Sequence, residues 1–385
     1  METIEHKQAD DDDSKISYPE EIIEQIISRL PIKSILRFKS ISKPWLSLIS
    51  NPSFTKLHST VGPSTTSLFL TLVDSSTNTR YFFSGANNDN GSVANLIKLD
   101  NTPYVFGTVE HLNGLLCLID RDYHSDNIYA SVINPTTHKF FKLPDRPLVP
   151  LLNEDMCYFF GFDESSNEHK VLYVDVGLIK LTTIEIMIFS FLNYSWRKIN
   201  VDLPIGVSRD RWFYGTKVSV CVNSIIHMMI RNPFEILAFD LRTETFSIVN
   251  VPPNPMVQNI YTFVCPYHRF LKINGLLGIA VIGNYLEEID KVDIWILQDY
   301  ENRVWVRETV TFPPNSQLCY GVGSPYPFDS INMDEIIFYP RVLSENLISV
   351  PIYNMKTRCF KSIQLTLGHR FLCPESVEVE EIKLC

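Results

Sequence analysis

The side chains that could perform acid–base or metal chemistry are spread singly along this chain of 385 residues. Four of its nine histidines, His111, His138, His169 and His227, stand beside predicted strands or turns, where we expect structural roles. None of the eight cysteines forms a C-x-x-C pair or lies near a histidine at the spacing of zinc ligands. We therefore expect no metal or other cofactor, and reduced thiols in a cytosolic or nuclear protein.

Two groups of neighbouring acidic residues are the remaining candidates for acid–base catalysis. Asp120-Arg121-Asp122 and Glu287-Glu288 both fall in polar stretches, where we expect solvated loop charges. The sequence contains no G-x-S-x-G, Gly-rich phosphate loop or H-E-x-x-H pattern. No catalytic residue is predicted, and we do not expect an enzyme.

Charge and hydropathy exclude further classes of function. The formal net charge of −10 argues against nucleic acid as the main ligand. No segment approaches the roughly 18 uncharged apolar residues of a transmembrane helix, so no membrane partner is expected. Residues 1–15, with Asp10 to Asp13, are predicted to be a disordered acidic leader and not a signal peptide.

Residues 17–54 concentrate isoleucine, leucine and aromatic side chains at helical spacing. Ser17-Tyr18-Pro19-Glu20 predicts a capping box for a first helix. Its apolar stripe follows: Ile22, Ile23, Ile26, Ile27 and Leu30. Pro31 ends this helix and opens a second, Ser42 can cap a third, and Asn51-Pro52 ends the third.

These three short helices carry more apolar surface than they can bury among themselves. A unit of about 40 residues is also usually too small to be stable without contacts to another part of the chain or to another protein. The surplus either packs on the rest of the chain or is covered by a partner protein. Basic residues surround it in an otherwise acidic chain, which favours an acidic partner. They are Arg29, Lys33, Arg37, Lys39 and Lys43.

The stretch "LPIKSILRFKSISKPW", from Leu30 to Trp45, resembles the F-box motif in its plant form, and the match extends over residues 16–57. In that family the three helices bind the Skp-family adaptor and, through it, the cullin and RING subunits of an SCF ubiquitin ligase. The resemblance implies a set of adaptor-facing residues. They are Leu30, Pro31, Ile35, Leu36, Trp45, Leu48 and Ile49.

Beyond residue 59 the helical period gives way to short strands rich in Val, Ile, Phe and Tyr. Hairpins such as "SVINPTTHKFFKLP" and "MIFSFLNYSWRKI" recur with an aromatic residue after each turn, every 50 to 60 residues. These aromatics are Tyr81, Phe141, Trp196, Phe246, Trp305 and Phe360. A period near 50 with about four strands per unit is typical of a kelch-like β-propeller.

A second, inner hairpin lies between these copies, as in "EHLNGLLCLID" and "KINGLLGIAVI", where Asn-Gly predicts a tight turn. The first outer hairpin, residues 67–83, has no inner hairpin before it, and the terminal "RFLCPESVEVEEI" has no outer hairpin after it. Joined, the two ends would complete one blade and close a ring of six blades. An open array of β-sandwiches is the alternative.

Residues from about 100 to 310 resemble the F-box-associated, kelch-like domain of plant F-box proteins. Four segments carry the resemblance, in this order: "NGLLCL", "VINPTTHKFFKLP", "FGFDESSNEHKVL" and "VDIWILQDY". The fold class is then α+β multidomain. We predict the leader over 1–15, the F-box over 16–57, a linker over 58–66 and the propeller over 67–385.

The resemblance implies a substrate receptor of an SCF ligase, in a family with roles in plant defence and pollen self-incompatibility. A sugar-binding, ligand-binding or enzymatic propeller with a merely structural helical leader is the alternative. An unknown target protein would be held by loops of the propeller. Trp212, Tyr214 and Tyr261 are either contacts for such a protein on the rim or side chains buried in the core. The long polar loops are predicted at 84–93, 121–127, 205–215, 253–259 and 284–291.

Overall fold

The chain divides into two compact units, residues 1–65 and residues 66–385. The computed structural model describes residues 20–30, 32–51, 53–54, 57–58, 67–77, 79–86, 92–99, 109–122, 127–134, 139–145, 156–175, 184–207, 219–230, 234–252, 268–282, 291–312, 327–331 and 334–384. The predicted leader and most of the predicted linker lie outside these ranges.

The first unit consists of three helices, α1 (Glu20–Ile27), α2 (Ile32–Lys39) and α3 (Lys43–Ser50). Ser42 is the N-cap of α3, as predicted, in extended backbone but without a side-chain capping bond. The predicted capping box of α1 begins outside the described residues. A small core holds the helices together through the buried side chains of Ile27, Ile35, Ile49 and Phe54.

The second unit consists of strands. The first three are β1 (Ser67–Asp74), β2 (Thr79–Ala86) and β3 (Ser92–Leu99). Two sets of four follow: β4 (Val109–Leu112), β5 (Leu115–Asp122), β6 (Asn127–Asn134), β7 (Lys139–Lys142), β8 (Met156–Asp163), β9 (Glu168–Asp175), β10 (Glu185–Ser190) and β11 (Ser195–Lys198).

Two more sets of four come next: β12 (Ser219–Val222), β13 (Ile225–Ile230), β14 (Glu235–Asp240), β15 (Thr245–Val249), β16 (His268–Ile273), β17 (Leu276–Ile282), β18 (Lys291–Asp299) and β19 (Val304–Thr311). The last strands are β20 (Pro327–Ile331), β21 (Glu335–Phe338), β22 (Arg341–Ser344), β23 (Leu347–Asn354), β24 (Cys359–Leu367) and β25 (Val377–Leu384). Each set of four from β4 to β19 forms its own antiparallel sheet.

The remaining strands form one nine-stranded sheet in the order β20-β21-β23-β24-β3-β2-β1-β25, with β22 added beside β23. This sheet contains two four-stranded arrays joined at their outer strands. The junction is a short parallel pairing of β24 with β3, at Thr366 with Ser92 and Leu367 with Val93.

The innermost strands close a ring. Contacts run from β4 to β8, β12, β16, β20 and β25, and from β25 back to β4. This arrangement is a β-propeller, as predicted, and it excludes the open array of sandwiches. The described strands form five hydrogen-bonded sheets, one fewer than the six predicted blades, because the parallel pairing of β24 with β3 joins two arrays into one sheet.

Closure by the two ends of the domain is confirmed. The C-terminal β25 pairs antiparallel with β1, from Leu68 with Leu384 to Asp74 with Val377. The hydroxyl and the backbone N–H of Ser75 both donate to the carbonyl oxygen of Ser376, each at 2.9 Å. The hydroxyl of Ser376 donates to the Asp74 carboxylate at 2.9 Å.

Three predicted details of the β unit were wrong. The hairpin at residues 67–83 is not an outer pair: β1 and β2 are the middle strands of their array, because β25 takes the inner place. The C-terminus contributes one strand and not a hairpin. The outer strand is β3, which begins inside the loop predicted at 84–93.

The acidic group at residues 120–122 was also placed wrongly in a loop. These residues continue β5, because their backbone pairs antiparallel with residues 127–129 of β6. The predicted loop 121–127 is therefore shorter than expected. Most of the other predicted loops, together with Glu287-Glu288, lie outside the described residues.

The inner hairpins have tight turns at their Asn-Gly pairs, as predicted. Asn113 and Gly114 have φ values of 46° and 80°, and Asn274 and Gly275 have 54° and 74°. Two successive residues at positive φ define the turn whose twist matches antiparallel strands. Asn223 and Ser224 make the same turn without glycine.

Neighbouring sheets pack closely, and the recurring aromatic residues join them. The indole N–H of Trp196 on β11 donates to the carbonyl oxygen of Pro144, which follows β7 of the preceding sheet, at 2.8 Å. Trp305 on β19 makes the equivalent bond to Asn250 at 3.0 Å. At Gly161 on β8, an added Cβ would lie 2.6 Å from Leu241 Cδ1 and 2.9 Å from Ile226 Cδ1, so a larger residue would displace these side chains of the next sheet.

We predict that deleting residues 377–385 destabilises the whole β unit and does not merely fray one end. The deletion exposes the edge of β1 and removes Val377 and Val379 from the core. Two buried valines contribute roughly 3 kcal/mol or more, so the melting temperature should fall by at least about 5 °C in one cooperative transition. Thermal unfolding followed by circular dichroism measures this.

Deletion of Cys385 alone is the matched control and should leave the melting temperature unchanged. A melting temperature within about 2 °C of the parent after loss of the entire strand would contradict closure by β25.

A candidate adaptor-binding surface and the chemistry of the propeller

The helical unit exposes large apolar side chains. Ile22 and Ile26 lie one turn apart on α1 and are 47% and 57% exposed. Ile41, before α3, is 62% exposed, and Leu46 on α3 is 47% exposed. So much exposed aliphatic surface on so small a unit is typical of a protein-binding site.

The predicted adaptor-facing residues divide between core and surface. Ile35 and Ile49 are only 4% and 5% exposed and belong to the core of the helical unit. Leu30, Trp45 and Leu48 are half-buried and pack against that core. Pro31 and the side chain of Leu36 lie outside the described part of the chain. Adaptor contact by any of these residues stays a prediction.

Sequence reasoning did not assign Ile22, Ile26, Ile41 or Leu46 to the adaptor-facing set. The available signal was the doubled isoleucines of α1. Ile23 and Ile27 pack inward, so the pair one residue earlier, Ile22 and Ile26, must face another direction on the helix.

Basic side chains accompany this apolar surface. Arg29, Arg37 and Lys43 are exposed, whereas Lys39 is half-buried. The turn after α1 is held by the ring of His58, whose Nε2 lies 3.1 Å from the Leu30 carbonyl oxygen. The ring of Phe38 packs against Trp45 at 5.2 Å between centroids. These contacts give the basic and apolar side chains a defined scaffold.

In the β unit, two of the described histidines, His169 and His227, contact neighbouring sheets. His169 Nε2 lies 2.9 Å from the Leu112 carbonyl oxygen of the preceding sheet, and its ring stacks on Phe160. His227 is almost fully buried, with Nε2 3.2 Å from the Tyr300 hydroxyl of the next sheet. Both rings therefore link sheets, as the structural interpretation predicted.

A buried ion pair also links neighbouring sheets. Lys170 Nζ lies 2.7 Å from Asp163 Oδ2 and 3.3 Å from the Leu241 carbonyl oxygen of the next sheet. Burial alone would raise the pKa of Asp163, but Lys170 and the neighbouring Ser165 and Ser166 lower it below its ordinary value. This ion pair joins two strands and two sheets.

Metal and membrane signals are absent from the described ranges. No three His, Cys, Asp or Glu side chains there are placed to hold a metal ion. Cys117, Cys157 and Cys221 carry buried thiols, and Cys359 and Cys373 carry exposed thiols. No described helix is long and apolar enough to span a bilayer. Trp212, Tyr214 and Tyr261 fall outside these ranges.

Comparison with protein families agrees with both units. Residues 19–57 match the F-box domain, and residues 67–375 match the F-box associated beta propeller domain. The chain therefore belongs to the F-box proteins with an F-box-associated β-propeller, a family of substrate-adaptor type. Its relatives are plant proteins, as the resemblance implied.

Two relatives from Arabidopsis thaliana illustrate the similarity. F-box protein At4g19940 is 25% identical over 380 residues, covering 91% of this chain and 86% of the relative. F-box protein At1g30790 is 24% identical over 318 residues, covering 77% and 75%. A chain in a nidogen/laminin complex aligns with TM-score 0.46 and 7% identity, over 83% of this chain and 98% of that chain.

We predict that His227 makes the β unit less stable in mild acid. Burial, with a contribution from the Arg303 charge, lowers the pKa of His227 to about 4 from an ordinary value of 6.5. As the pH falls, His227 therefore takes up a proton in the unfolded chain before it does so in the folded protein. The stability that neutral His227 provides is complete above pH 6.5 and is lost as the pH falls towards 4, by about 3 kcal/mol in total.

Urea unfolding of the parent and of His227→Gln at pH 7 and near pH 4 measures this contribution. The variant should lose less stability between the two pH values, by roughly 2 to 3 kcal/mol. Some acid sensitivity should remain, because burial also lowers the pKa of His169. Equal pH dependence in the two proteins would show that His227 titrates normally.

Proposed function

We propose that this protein is the substrate-recognition subunit of an SCF-type cullin–RING ubiquitin ligase, acting in the cytoplasm or nucleus. The helical unit binds a Skp-family adaptor, and the propeller binds a target protein. The observation that carries the proposal is the exposed aliphatic surface of the helical unit, in a segment that matches the F-box domain.

The proposed mechanism requires no reacting group on this chain. The adaptor links the chain to the cullin and RING subunits, and the propeller holds the target near the site of ubiquitin transfer. Such a complex raises the effective concentration of the target lysines. The structural roles of His169, His227 and the Asp163–Lys170 pair are consistent with this function.

The exposed side chains and the basic residues suit an acidic adaptor. Isoleucine and leucine side chains in a partner's groove supply affinity through burial of apolar area. Arg29, Arg37 and Lys43 would attract carboxylates around that groove and speed association. Half-buried Leu30, Trp45 and Leu48 can add contacts at the border between the core and the surface.

We predict that Ile22→Ser with Ile26→Ser weakens adaptor binding at least about tenfold and leaves the melting temperature nearly unchanged. Both side chains are about half exposed, so their loss removes interface area without opening a cavity. Binding of a purified plant Skp-family adaptor, measured by calorimetry, gives the result. Ile205→Ser is the matched control, because Ile205 is a fully exposed isoleucine in the β unit.

Leu30→Ala with Pro31→Ala provides a second comparison. This variant should also bind the adaptor more weakly, but its melting temperature should fall, because Leu30 packs against the helical core. If the folded Ile22/Ile26 variant and the folded Leu30/Pro31 variant both bind the adaptor like the parent, the proposed adaptor contact is wrong.

A further inference from the structure

The turn between α2 and α3 presents a serine hydroxyl to solvent among basic side chains. Ser40 and Ile41 form this turn, and both are exposed, Ile41 to 62%. Arg37 lies three residues before Ser40, and Lys39 lies directly before it. Lys43 follows three residues after Ser40. An exposed serine hydroxyl that follows an arginine by three residues is the charge pattern that basophilic protein kinases select.

The same spacing can be compared elsewhere in the chain. Three hydroxyl residues stand three positions after an arginine: Ser40, Thr245 and Ser344. Thr245 is paired with Asp240 in the β14–β15 hairpin, and the arginine before it, Arg242, donates to the Asp240 carboxylate at 2.7 and 3.0 Å. Ser344 belongs to β22. Of the three residues, only Ser40 lies outside the strands and directly follows a second basic residue.

The turn at Ser40 is the end of α2, and short-range backbone hydrogen bonds hold it. The Ser40 N–H donates to the Arg37 carbonyl oxygen, and the Ile41 N–H donates to the Phe38 carbonyl oxygen, each at 3.1 Å. Such bonds between residues three apart are typical of the last turn of a helix, where the ends fray. A kinase can therefore draw out this segment at a lower cost than a strand paired within a sheet.

The helical unit can carry a phosphate on Ser40 without losing its fold. The Ser40 hydroxyl donates to the Arg37 carbonyl oxygen at 2.7 Å, and phosphorylation removes this donor. The same carbonyl also accepts the Ser40 N–H, so it keeps a hydrogen-bond partner. A negative charge after the last turn of a helix is unfavourable, but the nearby positive charges of Arg37 and Lys39 offset it.

A phosphate at this position reverses much of the local charge. The segment from Arg37 to Lys43 has three basic and no acidic side chains, a formal charge of +3. A phosphoserine brings about −1.5 to −2 charges at pH 7, so most of the positive charge is cancelled. The phosphate also lies directly before Ile41, and a hydrated anion next to an apolar side chain opposes burial of that side chain in an interface.

We propose that Ser40 is a phosphorylation site for a basophilic serine/threonine protein kinase, and that the phosphate weakens adaptor binding. The Ser40 hydroxyl oxygen attacks the γ-phosphorus of ATP, and the bond from that phosphorus to the oxygen of the β-phosphate breaks. ADP leaves with the bonding electrons, and the hydroxyl proton passes to a carboxylate of the kinase. This inference rests on the proposed function and adds a means of regulating the same adaptor surface.

Phosphorylation is tested on the full chain with ATP and the catalytic subunit of cyclic-AMP-dependent protein kinase, which selects arginine before serine. Mass spectrometry should locate phosphate on Ser40, and the corresponding phosphopeptide should be absent from Ser40→Ala. Arg37→Gln should be phosphorylated on Ser40 at least about tenfold more slowly. Ser42→Ala, which alters the N-cap of α3 two residues away, is the matched control and should be phosphorylated like the parent.

The effect of the phosphate is measured by calorimetry with a purified plant Skp-family adaptor. The phosphorylated parent and the phosphorylated Ser42→Ala should bind at least about fivefold more weakly than their unmodified forms. Treatment of Ser40→Ala with the kinase should leave its affinity unchanged. The effect should become smaller with added salt, because the charges concerned are exposed. Circular dichroism should show the same helix content before and after phosphorylation.

Phosphate on Ser42, Thr245 or Ser344 in place of Ser40 would overturn the proposed site. Equal adaptor affinity of the modified and unmodified parent would overturn the regulation, and a loss of helix content on phosphorylation would contradict its basis in charge. The unmodified parent separates this inference from the function on which it rests. If that parent does not bind the adaptor, the proposed function is wrong. If it binds the adaptor but Ser40 is not phosphorylated, this inference alone is wrong.

Discussion

The pairing of β25 with β1 is the contact on which the β unit depends. It joins residues about 300 positions apart in sequence, through a ladder from Leu68 to Asp74 and the bonds between Ser75 and Ser376. Each sheet of a propeller is covered only by its neighbours, so a ring that lacks this pairing has exposed faces and edges at two places. Closure therefore sets the stability of the sheets that present the turns.

Within the ring, neighbouring sheets are joined by a small set of repeated contacts. Trp196 and Trp305 donate to carbonyl groups just after the last strand of the sheet before them. His169 and His227 lie within hydrogen-bond distance of a carbonyl or hydroxyl group next to them in an adjacent blade. These side chains serve the junctions between sheets, whereas the exposed positions of the turns do not. There the residue type can change without loss of the hydrogen bonds that shape the turn.

Much of this architecture could be predicted from local sequence, because turns and strand periods are local. Asn113-Gly114 and Asn274-Gly275 predicted inner hairpins correctly. The outer strand β3 was missed, since the stretch before it is rich in Asn and Gly and lacks the aromatic signal of the other outer strands. The first hairpin was misplaced, because its position in the sheet depends on a strand from the opposite end of the chain.

The candidate adaptor surface was predictable as a segment but not residue by residue. The helical period identifies an apolar stripe but does not show which of its residues are exposed. Ile35 and Ile49 are buried in the core of the helical unit, whereas Ile22 and Ile26 are exposed to solvent. That division depends on how three helices pack, which is not local.

The central claim is that the helical unit alone binds the adaptor and leaves the propeller available for a target. Hydrogen exchange followed by mass spectrometry, on the chain with and without a purified Skp-family adaptor, tests this claim most directly. The account predicts slower exchange in peptides from residues 20–51 and unchanged exchange in the sheets. Protection within residues 66–385, with none in residues 20–51, would contradict it.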